Sequence, residues 1–276
     1  MKAVRCCDKK IHVVDVPAPK GEGVIVNVRS AGICGSDLHM LNAGFDLGAT
    51  LGHEVAGTLS DGRAVALEPI APCGHCDMCV QGDYSLCRLS ANMVYGVGRD
   101  GGMADKIIVP ARCIVPLPNN VSAADACLVE PLAVAAHGIR MLDIKPTSRI
   151  AIIGAGAVGL AAAAILTPLV AKVDIAARHD AQRDAAERLG AGLDPSGEYD
   201  AVVECAGNSA ALMQAAQLCK PSGIILLLAT YWDGVALPAF EVSMKGLKIY
   251  ASSMYDRHGL VRDVDAAAQL MAQRPE

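Results

Sequence analysis

Four cysteines crowd the stretch CGHCDMCVQGDYSLC, at Cys73, Cys76, Cys79 and Cys87, separated by two, two and seven residues. Thiolates at that density suit a tetrahedral all-sulfur zinc. Two rivals compete with zinc. Disulfides are disfavoured, because the opening residues MKAVRCCDKKIHVV show no secretory signal pattern. An iron–sulfur run also begins CxxCxxC, but the bacterial ferredoxin pattern closes three residues later with Cys-Pro. Here seven residues intervene, and Arg88 follows Cys87. Zinc is the better match. A zinc closed by four thiolates has no position left for substrate, so it shapes a lobe and the chemistry lies elsewhere.

A second set of ligand types is spread along the chain: Cys34 in ICGSDLH, His53 and Glu54 in LGHEVAG, and Glu130 in VEPLAVAAHG. Each piece is weak alone, since a lone buried Cys is most often packing. Together Cys34, His53 and Glu54 offer sulfur, nitrogen and oxygen to a zinc with a free fourth position, which a catalytic zinc needs. A third motif is GAGAVG, Gly154 to Gly159. It follows an apolar run and opens an Ala-rich one. Gly154 permits a tight turn, Gly156 lets backbone amides approach a pyrophosphate, and Gly159 lets the helix sit close to the sheet. Val158 stands in the same turn and is counted with the cofactor-binding residues. The phosphates would meet the helix N-terminus.

The end of the next strand selects the cofactor. An acid there binds the ribose hydroxyls and repels a 2′-phosphate. The sequence is KVDIAARHD. A strand over Lys172–Ala176 leaves Ala177, Arg178 and His179 at its exit, with no acid and a guanidinium available for phosphate. This favours NADP over NAD. Asp174 lies twenty residues after Gly154, near the usual spacing for a ribose acid, but falls mid-strand, out of reach of the ribose.

The elements that must position these groups divide into two kinds. Up to about Leu117 the chain reads as strand and loop, with IHVVDV, VIVNVRS and DKIIVP punctuated by Gly and Pro. SAADACLVEPLAVAAHGIRML then turns helical, with Ser122 as N-cap and Asp125 three residues on. From Arg149, strands and helices alternate: RIAIIG, AVGLAAAAIL, KVDIA, DAQRDAAERLGA, YDAVVECAG, SAALMQAAQLC, GIILLLAT, LKIYASS and finally GLVRDVDAAAQLMA. Unbroken apolar strands alternating with helices predict a parallel sheet covered on both faces. The apolar stretch Ala151–Val173 is long enough for a bilayer, but its glycine turn and Pro168 make it a strand, turn and helix.

The whole chain has 276 residues, which predicts two domains. Its formal charge is −5, with one Trp and two Phe and no dense Lys/Arg block, which argues against nucleic acid as a partner. No membrane partner is expected, and cytoplasm is the expected compartment.

In order along the chain, GICGSDLH, LGHEVAG, the PCGHCDMC…C lobe, DGGMADKIIVP, VEPLAVAAHG and GAGAVGL resemble the zinc-dependent medium-chain alcohol dehydrogenases. The similarity is strongest to their polyol, sugar and threonine dehydrogenase branch. It implies an α/β protein: a GroES-like β-rich catalytic domain over 1–146, a doubly wound Rossmann sheet over 147–276, and an active site in the cleft between them. It implies that Cys34, His53 and Glu54 bind the catalytic zinc, with Glu130 nearby as a fourth ligand or water-linked acid. It implies that Ser36 takes the alcohol proton and His39 passes it outward, with the cofactor ribose as intermediary, while Asp37 orients a ligand. The catalytic set is then Ser36, His39, Glu54 and Glu130. Two zinc ions per subunit, NADP or NAD, a small secondary alcohol or its ketone, and a dimer or tetramer complete the expectation. Two features depart from the family. TLSDGRAVALEP compresses a loop that is usually longer, and the chain stops at AAQLMAQRPE. The C-terminus is therefore read as truncated, without the last Rossmann strand and the segment that returns to the catalytic domain. A protein that binds zinc and dinucleotide without turnover is the alternative this raises.

Overall fold

The computed structural model describes residues 1–7, 10–44, 48–89 and 93–274. The chain divides into two compact units, Met1–Ala133 together with the segment from Asp256, and Val134–Tyr255.

The first unit opens with an antiparallel pair, β1 (Lys2–Cys7) and β2 (Lys10–Asp15). β3 (Val24–Ala31) leads into helix α1 (Gly35–Asn42). Next come β4 (Val55–Thr58), β5 (Ala64–Leu67), the short helix α2 (Asp77–Gln81), β6 (Lys106–Val109) and β7 (Ile114–Pro116). β3 to β7 form an antiparallel sheet in the order β6-β3-β4-β5-β7. Val26, Val55, Val65, Leu67, Ile107 and Val109 make its core. The compressed loop closes tightly: Leu59 N donates to Arg63 O at 2.9 Å, and Gly62 takes φ +87°, a left-handed value that suits glycine. The three strands predicted in this half are present. Helix α3 (Val129–Ile139) starts later than Ser122. Ser122 instead closes a turn, its carbonyl accepting the amides of Asp125 and Ala126 at 3.1 Å. Pro131, which has no N–H to give, sits in the first turn of α3, where no partner is needed.

The second unit alternates as predicted: β8 (Arg149–Ile153), α4 (Ala157–Leu166), β9 (Lys172–Ala176), α5 (Asp180–Arg188), β10 (Gly192–Leu193), β11 (Tyr199–Glu204), α6 (Ser209–Leu218), β12 (Cys219–Leu227), α7 (Ala239–Lys245) and β13 (Lys248–Ala251). All six strands are parallel, in the order β10-β9-β8-β11-β12-β13. The third, second and first lie on one side and the fourth to sixth on the other, the doubly wound order with its switch point between β8 and β11. Ile150, Ala151 and Ile152 are completely buried, as strands covered on both faces must be.

β10 is two residues long and without readable periodicity, and β13 is the outer sixth strand. After β13 the chain makes a small hairpin, β14 (Arg257–His258) and β15 (Val261–Arg262), then helix α8 (Asp263–Gln273). These elements lie in the first unit, whereas α8 was expected as the last Rossmann helix. Buried polar contacts hold them there. The Asp256 carboxylate accepts Ser85 N at 2.6 Å and Ser85 Oγ at 2.8 Å. Arg262 donates to Glu68 at 2.8 Å, to Asp265, and to the carbonyls of Arg112 and Ile114. The division between units falls inside α3 at Val134, not at 146/147, because α3 runs continuously across it.

Candidate functional site

Cys34 sits at the N-cap of α1 with an extended backbone, and Asp37 closes the first turn by accepting Cys34 N at 3.0 Å. His53 and Glu54 immediately precede β4, and Glu54 O accepts Gly32 N at 2.8 Å. Gly32 is glycine for a reason of space. A Cβ there would stand 1.9 Å from Glu54 Oε2. The strand ends thus bring a thiol, an imidazole and a carboxylate together, with ligand atoms all within 4.8 Å of one another. His53 and Glu54 are buried and Cys34 is half-buried. Burial raises the Cys34 thiol and the Glu54 carboxyl above their ordinary values.

These residues fit zinc. A divalent cation neutralises a thiolate and a carboxylate that burial otherwise penalises. His53 Nδ1 and Asp37 Oδ1 are buried, 3.7 Å apart, and lack hydrogen-bond partners. An imidazole that binds metal through Nε2 carries its proton on Nδ1, and here that proton would face the Asp37 carboxylate. Glu130 is buried in the first turn of α3 but lies outside the trio of converging atoms. Ser36, half-buried, and His39, exposed, stand three residues apart on α1, one helical turn from each other.

The four-cysteine lobe forms a second centre. Cys73, Cys76, Cys79 and Cys87 place their Sγ atoms within 4.8 Å of one another. Cys73 and Cys79 Sγ are 3.8 Å apart, far beyond a disulfide bond, and all the cysteines are free. Cys76 N donates to Cys73 Sγ and Cys73 N to Cys87 Sγ, each at 3.4 Å. Amides aimed at sulfur favour thiolate. The backbone amides of Arg88 and Cys79 pull the Cys76 thiol down to about 6, while burial pushes Cys79 up to about 12. Gly82, at φ +107°, ends α2 so that the chain can turn back toward Cys87.

In the second unit the glycine turn has the spacing expected of it. Gly154 takes φ +101°. A Cβ on Gly159 would lie 1.9 Å from Gly154 O, whereas Gly156, at the N-cap of α4, has open space around it. Val158 lies half-buried in the first turn of α4. β9 ends at Ala176, and Arg178 and His179 are exposed beyond it. Asp174 is buried and committed sideways, accepting Tyr199 OH at 2.5 Å and Lys172 Nζ at 2.8 Å. Two features escaped the sequence reading. Gly32, the spacer for Glu54, is one glycine among twenty-seven. Glu204 is fully buried at the end of β11, inside an apolar run that reads as ordinary strand.

Fold and sites together define a dehydrogenase with a GroES-like zinc unit and a Rossmann dinucleotide unit. Residues 20–119 match the alcohol dehydrogenase GroES-like domain. The chain is 31% identical to an uncharacterized zinc-type alcohol dehydrogenase-like protein of Escherichia coli, over 80% of this chain and 74% of that one. It is 30% identical to the L-galactonate-5-dehydrogenase of the same organism, over 94% of this chain and 83% of that one. A zinc-binding dehydrogenase from Sinorhizobium meliloti, solved with NADP, superposes with a TM-score of 0.84 at 28% identity, covering 99% of this chain and 88% of that one. The chain belongs to the zinc-type alcohol dehydrogenases and is an NAD(P)-dependent oxidoreductase. Among the described residues no helix is long and apolar enough to cross a membrane.

Proposed function

We propose that this protein oxidises a secondary alcohol on a polyol, sugar or sugar acid, or reduces the matching ketone, with NADP preferred over NAD. One observation carries this reading. The same chain brings Cys34, His53 and Glu54 together as an open ligand set and carries a glycine turn whose neighbouring strand offers no free acid. Each subunit holds two zinc ions, one on this trio and one on Cys73, Cys76, Cys79 and Cys87. The relative named for L-galactonate supports a polyhydroxylated substrate, and the relative solved with NADP supports the cofactor.

Zinc on the trio supplies Lewis acidity that lowers the pKa of an alcohol, and the dinucleotide supplies the hydride acceptor. The residues of the chain do the rest. Cys34, His53 and Glu54 hold the metal in a near-neutral site. Asp37 fixes the His53 tautomer. Ser36 accepts the proton that the alcohol gives up, and His39 moves it outward to solvent. Glu130, beside the trio, would serve as a fourth ligand or a water-linked acid. Arg178, with His179 beside it, receives the 2′-phosphate, while Gly154, Gly156, Val158 and Gly159 seat the pyrophosphate. The expected setting is the cytoplasm and the expected form a dimer or tetramer, which sedimentation would measure.

The test is absorbance at the reduced-nicotinamide band, with zinc-replete protein, each cofactor, and a panel of polyols, aldonates and simple secondary alcohols. Turnover with NADP on a polyhydroxylated substrate supports the reading. No turnover on any substrate by folded protein carrying two zinc ions rejects it and leaves a protein that only binds.

A further inference from the structure

Glu204 ends β11 in register with Ile153 of β8 and Leu227 of β12. Gly154 follows Ile153, so this carboxylate lies at the switch point, level with the start of the glycine turn. It is completely buried. A buried carboxylate is costly unless it is hydrogen-bonded, and Glu204 is well supplied. Its Oε1 accepts the amides of Ala206 at 2.8 Å and Gly207 at 2.9 Å. Its Oε2 accepts Tyr231 OH at 2.5 Å. Its backbone carbonyl accepts the amides of Leu228 and Ala229. One residue therefore ties the loop after β11 to the loop after β12. The two loops also touch directly, since a Cβ on Gly207 would lie 2.8 Å from Thr230 O. The first loop backs the glycine turn, with Ala206 Cβ 3.1 Å from where a Cβ on Gly154 would be.

In a doubly wound sheet the first three strands serve the adenosine half of a dinucleotide and the fourth to sixth the other half, in the crevice beyond the strand ends. β11 and β12 are the fourth and fifth. We propose that Glu204 and Tyr231 form a hydrogen-bonded staple that sets the spacing of the two loops receiving the nicotinamide half, and so act as positioning residues for the hydride-carrying end of the cofactor. This rests on the dinucleotide reading above. The β9 exit, which serves the adenosine half, makes none of the staple's hydrogen bonds.

The test uses the full chain and two probes: NADPH, and adenosine 2′,5′-bisphosphate, which lacks the nicotinamide half. Binding of each probe is measured by titration calorimetry. Tyr231→Phe keeps the ring and removes one hydrogen bond to a charged group, so the NADPH Kd is expected to rise about tenfold. The Kd for adenosine 2′,5′-bisphosphate stays within about twofold of wild type, on the additivity expected of separate sites. Glu204→Gln keeps an oxygen for the two amides and an NH₂ for the tyrosine oxygen, so NADPH binding is expected to stay within about threefold of wild type. Equal weakening of both probes by Tyr231→Phe marks a merely structural role and overturns the proposal, as does an unchanged NADPH Kd. A wild-type chain that binds neither probe overturns the dinucleotide reading itself, which separates the two failures.

Discussion

At the scale of single residues, the two metal centres ask different things of the same side chain. In the proposed function Cys34 is one of three ligands on an open site, and it is only half-buried. Cys34→Ala is expected to lose the zinc proposed at the trio and the activity while the melting temperature stays nearly unchanged. Metal analysis and calorimetry on the same sample check this. Asp37 is not among the three converging ligand residues, yet its carboxylate lies 3.7 Å from His53 Nδ1. Asp37→Asn is expected to weaken zinc at the trio by about 10–100-fold, the usual cost of removing such a partner, read by competition with a chromophoric chelator. Arg178 and His179 stand exposed at the strand exit, and Asp174 is held by Tyr199 and Lys172. Arg178→Ala is therefore expected to raise the KM for NADP about tenfold, the worth of a charge-assisted hydrogen bond, and leave the KM for NAD almost alone. An unchanged ratio of the two would refute the 2′-phosphate role.

At the scale of elements, the cysteine lobe and the residues after Tyr255 are held together. Ser85, two residues before Cys87, is held by Asp256, and Tyr84 donates to Glu68, which also pairs with Arg262. Breaking a largely buried pair leaves a stranded charge. Arg262→Met is expected to destabilise the first unit by about 3 kcal/mol, with faster hydrogen exchange across α8. Cys76→Ala removes a thiolate from a closed site and is expected to lower stability as well as zinc content, in contrast to Cys34→Ala. On the lobe surface, the Arg88 fork on Asp77 holds that carboxyl down to about 2, from an ordinary 3.8. Because the folded value is depressed, the pair's contribution is present above about pH 4 and is lost as pH falls through about 2. In Arg88→Ala the Asp77 titration is expected to move back toward its ordinary value, as an NMR titration would show.

At the scale of the whole molecule, the dinucleotide and zinc act on stability through binding alone. NADPH at a hundred times its Kd is expected to raise the unfolding free energy by about 2.7 kcal/mol, and a chelator to lower it; a melting curve deaf to both would contradict the functional reading. Much of this protein was legible without coordinates. Spacing within short segments determined the cysteine lobe, the glycine turn and the strands and helices of the second unit, because those patterns are local: metal ligands on one loop, a turn between one strand and one helix, a period of two or 3.6 residues. The trio was legible only as three scattered fragments. Its assembly depends on β3 and β4 pairing, and on Gly32 leaving room for the Glu54 side chain. The sequence by itself could not place the residues after Tyr255. α8 carries the same helical pattern wherever it packs, and what assigns it to the first unit is Arg262 meeting Glu68, 194 residues earlier. Nor could it show why Glu204 is an acid in an apolar strand. Only the tertiary structure brings Ala206, Gly207 and Tyr231 around it, since a buried charge is set by partners that its own segment does not contain.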